Sequence, residues 1–185
     1  MLRRITTRIC IIAVTLGTLF PAFVASPAEA APQRQPHPLE VLLVANAVNG
    51  APSYAAKAAV LFALSQYGKQ YTQAANRRVG QRADGYDCSG LVWRSYLQGG
   101  VWLGGGLRYT QSILQDPQIY RIAPNQVRAG DLVFFTFGRS RANGHMGLAL
   151  GNNWMIEASS SKGYVKVTNY AAYANKVSGY YRVRA

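Results

Sequence analysis

One cysteine in this sequence stands where a helix would make it reactive. The stretch Asp87-Cys88-Ser89-Gly90 is followed by an apolar run, which predicts a helix that begins at Cys88 with Asp87 as its N-cap. A thiol in the first turn of a helix lies at the positive end of the helix dipole, which lowers its pKa and favours the nucleophilic thiolate. The same position also suits a small buried hydrophobic side chain, because free cysteines are often buried. Cys88 is therefore a candidate nucleophile, and its surroundings must decide between the two roles.

Cysteine and histidine are scarce in this chain, which contains two of each among 185 residues. A zinc site of the finger type needs four such ligands at paired spacings, so the sequence offers no material for one. Cys10 lies in the N-terminal segment, and His37 lies in a proline-containing stretch where a solvated side chain is expected. The chemistry of a thiol and an imidazole therefore falls to Cys88 and His145, and no metal or organic cofactor is expected.

A nucleophilic thiol needs a base, and the base needs a third group that orients its ring. His145 is the candidate base, although a histidine on a strand is also compatible with a purely structural hydrogen bond. Residues 151–153 predict a three-residue hairpin loop, which would place Gly147 opposite Glu157. Glu157 would then share a face with His145, one diagonal step away. A two-residue loop would turn Glu157 to the other face, so the role of Glu157 depends on this loop.

The elements that must position these residues follow a simple order along the chain. Helices are predicted from about Ser53 to Tyr67, from Cys88 to Gln98 and near Thr110 to Leu114, with a polar loop at 71–85. Residues 40–49 are compatible with a short helix or with a linker. Strands are predicted at Asp131–Phe137, His145–Leu150, Trp154–Ala158, Tyr164–Val167 and Tyr180–Val183. Helices followed by strands predict an α+β domain, with the helices packed on an antiparallel sheet of about five strands.

The N-terminal 30 residues have the three-part pattern of a secretory signal peptide. Three arginines precede an apolar stretch from Ile9 to about Val24, and Ala28-Glu29-Ala30 supplies a small-residue cleavage site. The apolar stretch is short and interrupted for a membrane anchor. We therefore expect a signal peptide at 1–30, a proline-containing linker or N-terminal extension at 31–52 and one domain at 53–185. Cys88 is then the only cysteine after cleavage and has no internal disulfide partner, so it is expected to be buried, dimerised or used.

The charge of the chain indicates an anionic partner. Twenty Lys and Arg stand against seven Asp and Glu, a formal net charge of +13. The first 30 residues contain three arginines and one glutamate, so removing them lowers the net charge to +11. Nucleic acid, a membrane surface and an acidic cell-envelope polymer are all compatible with such a charge. The basic residues are scattered rather than arranged along one element, and an export signal argues against nucleic acid.

Four motifs follow one another along the domain: DCSGLV at 87–92, GDLVFF at 130–135, GHMGLALG at 144–151 and MIEA at 155–158. In this order and spacing they resemble the NlpC/P60 family of cell-wall cysteine peptidases. The preceding stretch ALSQYGKQY at 63–71 is similar to the first helix and following turn of the family. The resemblance covers about 53–185.

This resemblance implies a papain-like α+β fold and hydrolysis of peptide bonds in the peptidoglycan stem, most often between D-γ-glutamyl and a diamino acid. Cys88 would be the nucleophile, His145 the general base, and Glu157 would occupy the third position, where histidine is commoner. Asp87 and Ser89 are candidates for substrate or oxyanion contacts. The family's tyrosine before the cysteine helps its oxyanion site, and Tyr71 corresponds to it if an insertion separates Tyr71 from Cys88.

Peptidoglycan is thus the expected partner, with anionic cell-wall polymers as a further one. We expect a secreted monomer in the cell wall or periplasm, with no nucleic-acid partner and no membrane insertion after signal cleavage. Basic residues near the two catalytic candidates are expected to steer an acidic substrate: Arg77, Arg78, Arg82, Arg139 and Arg141. Two alternatives remain open: an N-acetylmuramoyl-L-alanine amidase similar to CHAP enzymes, and a non-catalytic wall-binding module on the same fold.

Overall fold

The computed structural model describes Leu42, Val44, Ala45 and residues 48–74, 84–105, 108–137 and 144–185. These residues belong to one compact unit, Pro36–Ala185. The predicted signal peptide, Cys10, His37 and the five arginines expected to steer the substrate lie outside the described residues. Within 42–50, the described residues are helical, as in the helical alternative for that segment.

Two of the helices begin at the capping residues that the sequence predicts. Helix α1 spans Tyr54–Ser65, and the Ser53 side chain accepts a hydrogen bond from the Ala56 N–H at 3.2 Å. Helix α2 spans Cys88–Gln98, and Asp87 Oδ1 accepts from the Gly90 N–H at 2.7 Å. Helix α3 is the short segment Thr110–Leu114. The predicted N-cap role of Asp87 is therefore confirmed, and Cys88 opens the helix whose dipole it was expected to sense.

The sheet contains six strands, one more than the sequence predicts. They are β1 (Ile119–Ile122), β2 (Leu132–Phe135), β3 (His145–Gly151), β4 (Trp154–Ser159), β5 (Tyr164–Asn169) and β6 (Val177–Val183). Every pairing is antiparallel, and the order is β1-β6-β2-β3-β4-β5. Strand β1 escaped the sequence analysis because it is four residues long and only its two ends are buried, so it shows too little alternation to identify a strand.

Both faces of the sheet are covered, and the helices cover one of them. Helix α2 packs on β3 and β4 as well as on α1 and α3. Successive strand residues point to opposite faces, so Phe134 belongs to the main core with the helices while Phe135 packs in a second cluster with Tyr170. The face shared with α2 therefore brings the start of that helix against the strands that carry His145 and Glu157. The prediction of an α+β fold with helices on an antiparallel sheet is confirmed.

Candidate active site

The β3–β4 hairpin sets the position of Glu157 through a turn and a bulge. The turn is Asn152-Asn153, with both residues at positive φ, and Gly151 pairs with Trp154. The predicted three-residue loop is therefore wrong. A bulge between Ala149 and Gly151 adds one residue to β3, so that Leu148 still pairs with Ile156. Because the bulge offsets the shorter turn, Glu157 keeps the face predicted for it.

His145 and Glu157 are in direct contact across this hairpin. The distance from His145 Nε2 to Glu157 Oε2 is 2.5 Å. The other carboxylate oxygen, Oε1, accepts a hydrogen bond from Thr168 Oγ1 at 2.6 Å and lies 3.7 Å from Lys166 Nζ. Burial by itself would raise the pKa of Glu157, but the hydrogen bond and charge of His145, with Thr168 and Lys166, hold the pKa below its ordinary value. Glu157 is thus held as a carboxylate in contact with the imidazole ring, and its predicted role in orienting that ring stays a prediction.

Cys88 is a buried thiol beside the same imidazole. Its Sγ lies 3.7 Å from Thr110 Oγ1, at the start of α3. Glu157 occupies Nε2 of His145, which leaves Nδ1 as the ring nitrogen available to the thiol. Burial opposes ionisation of the thiol, but the hydrogen bond and charge of His145 outweigh it, so the pKa of Cys88 lies below its ordinary value.

The pKa of His145 shifts in the opposite direction to that of Cys88. Burial alone would lower its pKa, but its hydrogen bonds and charge interactions with Cys88 and Glu157 raise the pKa to about 9. When the pKa of an acid is lowered and that of the neighbouring base is raised, proton transfer from the acid to the base is favoured, and the two groups form an ion pair. Both shifts therefore favour the thiolate–imidazolium form of Cys88 and His145, which is the form in which sulfur is nucleophilic and the ring can donate a proton.

Asp87 and Ser89, the two candidates for substrate or oxyanion contacts, are held within the start of α2. The Asp87 side chain is fully buried, and its Oδ1 accepts from the Ser89 hydroxyl at 3.1 Å as well as from the Gly90 N–H. Its Oδ2 accepts from the Ala74 N–H at 3.0 Å. These bonds fix the helix start that carries Cys88. A direct contact of either side chain with substrate stays a prediction.

Tyr71 lies in the same cavity as Cys88. Its backbone N–H donates to the Gly163 carbonyl at 2.7 Å, and it forms an isolated bridge with Tyr86, two residues before Cys88. Its hydroxyl donates to Gln73 Oε1 at 3.2 Å. The structure thus brings Tyr71 close to the thiol despite the long polar segment between them in sequence. Its part in an oxyanion site stays a prediction.

The cavity that joins these groups has a volume of about 380 Å³. Its lining combines the catalytic candidates with hydroxyl, cationic and aromatic side chains: Tyr71, Cys88, Phe137, Gly144, His145, Met155, Glu157, Ser159, Ser160, Ser161, Lys162, Lys166, Thr168 and Tyr173. The ring of Phe137 lies 5.8 Å from that of His145. Within the described residues, no group of three His, Cys, Asp or Glu side chains could hold a metal ion.

Several residues of this site were missed by the sequence analysis. Lys166 pairs directly with Glu157 in the β4–β5 register, and Thr168 is two residues further on the same face of β5. The alternation of β5 could have shown that these two side chains share a face, but the sequence does not show that this face meets Glu157. Thr110 contacts Cys88 from a separate helix, and no local sequence pattern predicts that contact.

The fold and the site define a class of protein. A cysteine opens a helix that packs against an antiparallel sheet, and a histidine and a carboxylate on adjacent strands face it, as in papain-like α+β proteins. The model of the NlpC/P60 family matches residues 68–182, which is more than half of the chain. The chain therefore belongs to the NlpC/P60 family.

Curated relatives share the central part of the chain. It is 34% identical over 91 residues to the peptidoglycan endopeptidase RipB of Mycobacterium tuberculosis, which is 48% of this chain and 34% of that protein. It is 31% identical over 90 residues to the murein DD-endopeptidase MepS/murein LD-carboxypeptidase of Escherichia coli K12, covering 48% and 44% respectively. Identity to the peptidoglycan DL-endopeptidase CwlO of Bacillus licheniformis is 35% over 78 residues, covering 42% and 16%. The chain thus spans less than half of the length of these curated relatives.

Solved structures share the fold. The peptidoglycan hydrolase RipB of M. tuberculosis superposes with a TM-score of 0.56 at 26% identity, over 76% of this chain and 67% of that one. An NlpC/P60 family protein of Bacillus cereus superposes with a TM-score of 0.60 at 20% identity, over 73% and 42%. The predicted papain-like NlpC/P60 fold is confirmed. No helix among the described residues combines the length and apolar character needed to cross a bilayer.

Proposed function

We propose that this protein is a peptidoglycan endopeptidase that cleaves a stem-peptide bond between D-γ-glutamyl and a diamino acid. The observation that carries the proposal is the convergence of Cys88, His145 and Glu157 on one cavity, with pKa shifts of opposite sign on the thiol and the imidazole. Family membership and the printed names of the relatives, which are peptidoglycan or murein endopeptidases, supply the substrate class.

In the first half of the reaction, the Cys88 thiolate attacks the scissile carbonyl carbon and a C–S bond forms. The developing oxyanion is stabilised by the backbone N–H of Cys88 at the start of α2, where a helix leaves its first N–H groups without intrahelical partners. Tyr71, which lines the same cavity, is the further donor that we propose for it. When the C–N bond breaks, the imidazolium of His145 gives its proton to the leaving amine.

In the second half, water hydrolyses the thioester. Neutral His145 takes a proton from the water as it attacks, the C–S bond breaks, and the proton remains on the imidazole beside the regenerated thiolate. The carboxylate of Glu157 keeps the ring in the orientation that offers Nδ1 to the thiol and stabilises the imidazolium. At the end of the cycle, Cys88 and His145 are again the thiolate and the imidazolium with which the reaction began.

The test is incubation of the full chain and its Cys88→Ala variant with muropeptides of defined structure, followed by mass analysis. An endopeptidase releases a fragment with a new N-terminal diamino acid, and Cys88→Ala should release none. Thr110→Ser, which keeps a hydroxyl beside the thiol, should retain cleavage. A freed lactyl group with an intact stem peptide would identify an amidase instead. Binding of sacculi without any fragment, unchanged by Cys88→Ala, would identify a non-catalytic wall-binding module.

We also propose that the protein is exported by cleavage near Ala30 and acts as a monomer in the cell wall or periplasm. The N-terminal pattern and the positive charge support this location, because cell-wall polymers are rich in anionic groups. N-terminal sequencing of the exported protein should give Ala31 or a close neighbour. Binding of the chain to an anionic wall polymer should weaken as salt is added.

A further inference from the structure

The β4–β5 turn forms one end of the active-site cavity and is held in place by the segment that carries Tyr71. Within the turn, the Gly163 N–H donates to the Ser159 carbonyl at 2.9 Å. Outside it, the Gly163 carbonyl accepts from the Tyr71 N–H, and the Val165 N–H donates to the Lys69 carbonyl at 2.8 Å. These backbone bonds fix the backbone of the turn before any ligand arrives, so its side chains start from defined positions at the end of the cavity.

The side chains of this turn give the cavity a cationic, hydroxyl-rich end. Lys162, Lys166, Ser160 and Ser161 all line the cavity together with the thiol. Among the described residues that line it, Glu157 is the only acidic one. Glu157 is already in contact with His145, Thr168 and Lys166, so it does not neutralise Lys162. The described ion pairs include none that involves Lys162.

We propose that Lys162 and Lys166 form a carboxylate subsite, which binds a free carboxylate that the stem peptide carries next to the bond to be cleaved. Lys162 is exposed at the rim and supplies the charge that the substrate meets first. Lys166 is less exposed, and its ammonium group, which can donate three hydrogen bonds, lies 3.7 Å from Glu157 Oε1. The serine hydroxyls of the turn supply neutral donors beside the two ammonium groups.

This inference rests on the proposed function, and it adds a basis for selectivity between stem peptides that differ in their carboxylates. Two carboxylates lie near the proposed scissile bond: the α-carboxylate of the D-γ-glutamyl residue and, where the diamino acid is diaminopimelate, its side-chain carboxylate. Conversion of either one to a carboxamide removes the negative charge with almost no change in size. The subsite therefore makes the enzyme selective for peptides in which the relevant carboxylate is free.

The experiment measures binding to the full chain with Cys88→Ala, so that no peptide is consumed. The probes are L-alanyl-γ-D-glutamyl-diaminopimelate with all its carboxylates free, with the glutamyl α-carboxamide, and with the carboxamide at the side-chain end of diaminopimelate. One carboxamide should bind about fivefold more weakly than the free acid, the scale of a solvent-exposed ion pair. Adding Lys162→Met should weaken free-acid binding to the same extent and leave binding of that carboxamide unchanged.

Two control variants separate this effect from a general loss of charge or fold. Lys162→Arg keeps the charge and should keep the preference for the free acid. Lys69→Met removes a lysine from the adjoining exposed segment that does not line the cavity, and it should leave all three affinities unchanged. Equal binding of the three peptides, or an equal loss for all of them with Lys162→Met, would overturn the subsite.

Hydrolysis by the chain that retains Cys88 distinguishes this inference from the proposed function. Cleavage of free-acid and carboxamide peptides at equal rates, unaffected by Lys162→Met, would overturn the subsite while supporting the endopeptidase. Carboxylate-dependent binding without cleavage of any peptide would support the subsite and overturn the endopeptidase.

Discussion

At the scale of single residues, the candidate active site depends on how Cys88 and His145 shift each other's pKa values. Both side chains are removed from water, which by itself would favour the neutral thiol and the neutral imidazole. Their mutual interaction, with Glu157 behind the ring, reverses both preferences: the pKa of Cys88 is lowered and that of His145 rises to about 9. The interval between these two pKa values is the pH range in which the ion pair exists.

The pH–rate profile should therefore be bell-shaped. The rate should fall on the acid side as Cys88 gains its proton, and on the alkaline side near pH 9 as His145 loses its proton. Glu157→Gln removes a charge that raises the pKa of His145, so the alkaline limb should move to lower pH. The imidazolium would then stabilise the thiolate less, so the acid limb should move to higher pH and the bell should narrow.

Alkylation of Cys88 by iodoacetamide checks the same shifts without any substrate. At pH 7 the reaction should be faster than that of an ordinary, largely protonated thiol, and it should slow at that pH in Glu157→Gln. A profile with limbs unmoved by Glu157→Gln would contradict the coupling between the carboxylate and the ion pair.

Thr168 is expected to act as a positioning residue for Glu157. Its hydroxyl donates to Glu157 Oε1 at 2.6 Å in a buried environment, so Thr168→Val leaves that oxygen with Lys166 as its remaining described contact. We expect kcat/KM to fall about tenfold, the effect of losing one hydrogen bond to a charged group. The Thr168→Val variant should also show a lowered alkaline limb, because a less ordered carboxylate raises the pKa of His145 less.

The control for this prediction is Thr168→Ser, which keeps the hydroxyl and should restore both the rate and the alkaline limb. Equal effects of valine and serine would show that the methyl group, rather than the hydrogen bond, matters at this position.

The sequence analysis identified the candidate catalytic residues more readily than the residues that contact them. Cys88 and His145 were identifiable because the chain offers so few alternatives, and Glu157 because its strand follows that of His145. Thr110 and Lys166 contact these residues from separate elements, and such contacts depend on how α3 and β5 pack in three dimensions. Common residue types such as threonine and lysine carry no local signal of that packing.

At the scale of elements, the β3–β4 hairpin shows how a correct register arose from a wrong turn. The sequence analysis assigned Gly151 to the loop, whereas it pairs with Trp154. The bulge after Ala149 restores the alignment that the shorter turn would have shifted by one residue. A bulge has no distinctive composition in this strand, so hydrophobic alternation could predict the face of Glu157 but not the way in which the chain reaches it.

Gly147 is the position where this hairpin should tolerate substitution least. A Cβ atom there would lie 2.9 Å from the Ile156 carbonyl oxygen, 3.0 Å from Met155 Sδ and 3.4 Å from Glu157 Cβ. Gly147→Ala should therefore push β4 away and lower the free energy of unfolding by about 1–3 kcal/mol, the usual scale of overpacking. It should also lower the rate of the folded protein, because Glu157 moves with β4.

The matched control is Gly144→Ala, at the start of the same motif, where a Cβ atom would meet no atom within 4 Å. Urea unfolding and kcat/KM should stay close to those of the unaltered chain. Similar losses in the two variants would mean that the close approach at Gly147 does not determine the position of Glu157.

At the scale of the whole molecule, the last strand of the chain lies inside the sheet. Strand β6 pairs with both β1 and β2, so the C-terminal residues join the short edge strand to the strands of the active site. Arg182 on β6 reaches Asp131 before β2 through two hydrogen bonds, Nε to Oδ1 at 2.8 Å and Nη2 to Oδ2 at 2.7 Å. It also donates to the Gln126 carbonyl at 2.6 Å. This side chain therefore ties β6 to the segment 126–131, which lies more than 50 residues earlier in the sequence.

Loss of Arg182 should consequently destabilise the whole domain without altering the chemistry. Asp131 is almost fully buried, so Arg182→Met would leave an uncompensated carboxylate and lower the free energy of unfolding by about 2–4 kcal/mol. Arg184→Met is the matched control: that exposed guanidinium lies over the Tyr120 ring at 4.7 Å, a contact worth about 0.5–1 kcal/mol. Urea unfolding should separate the two variants, while kcat/KM per folded molecule should match the unaltered chain in both. Equal stability losses would contradict the role of this ion pair in the assembly of the sheet. A loss of rate confined to folded Arg182→Met would show that the ion pair also serves the site.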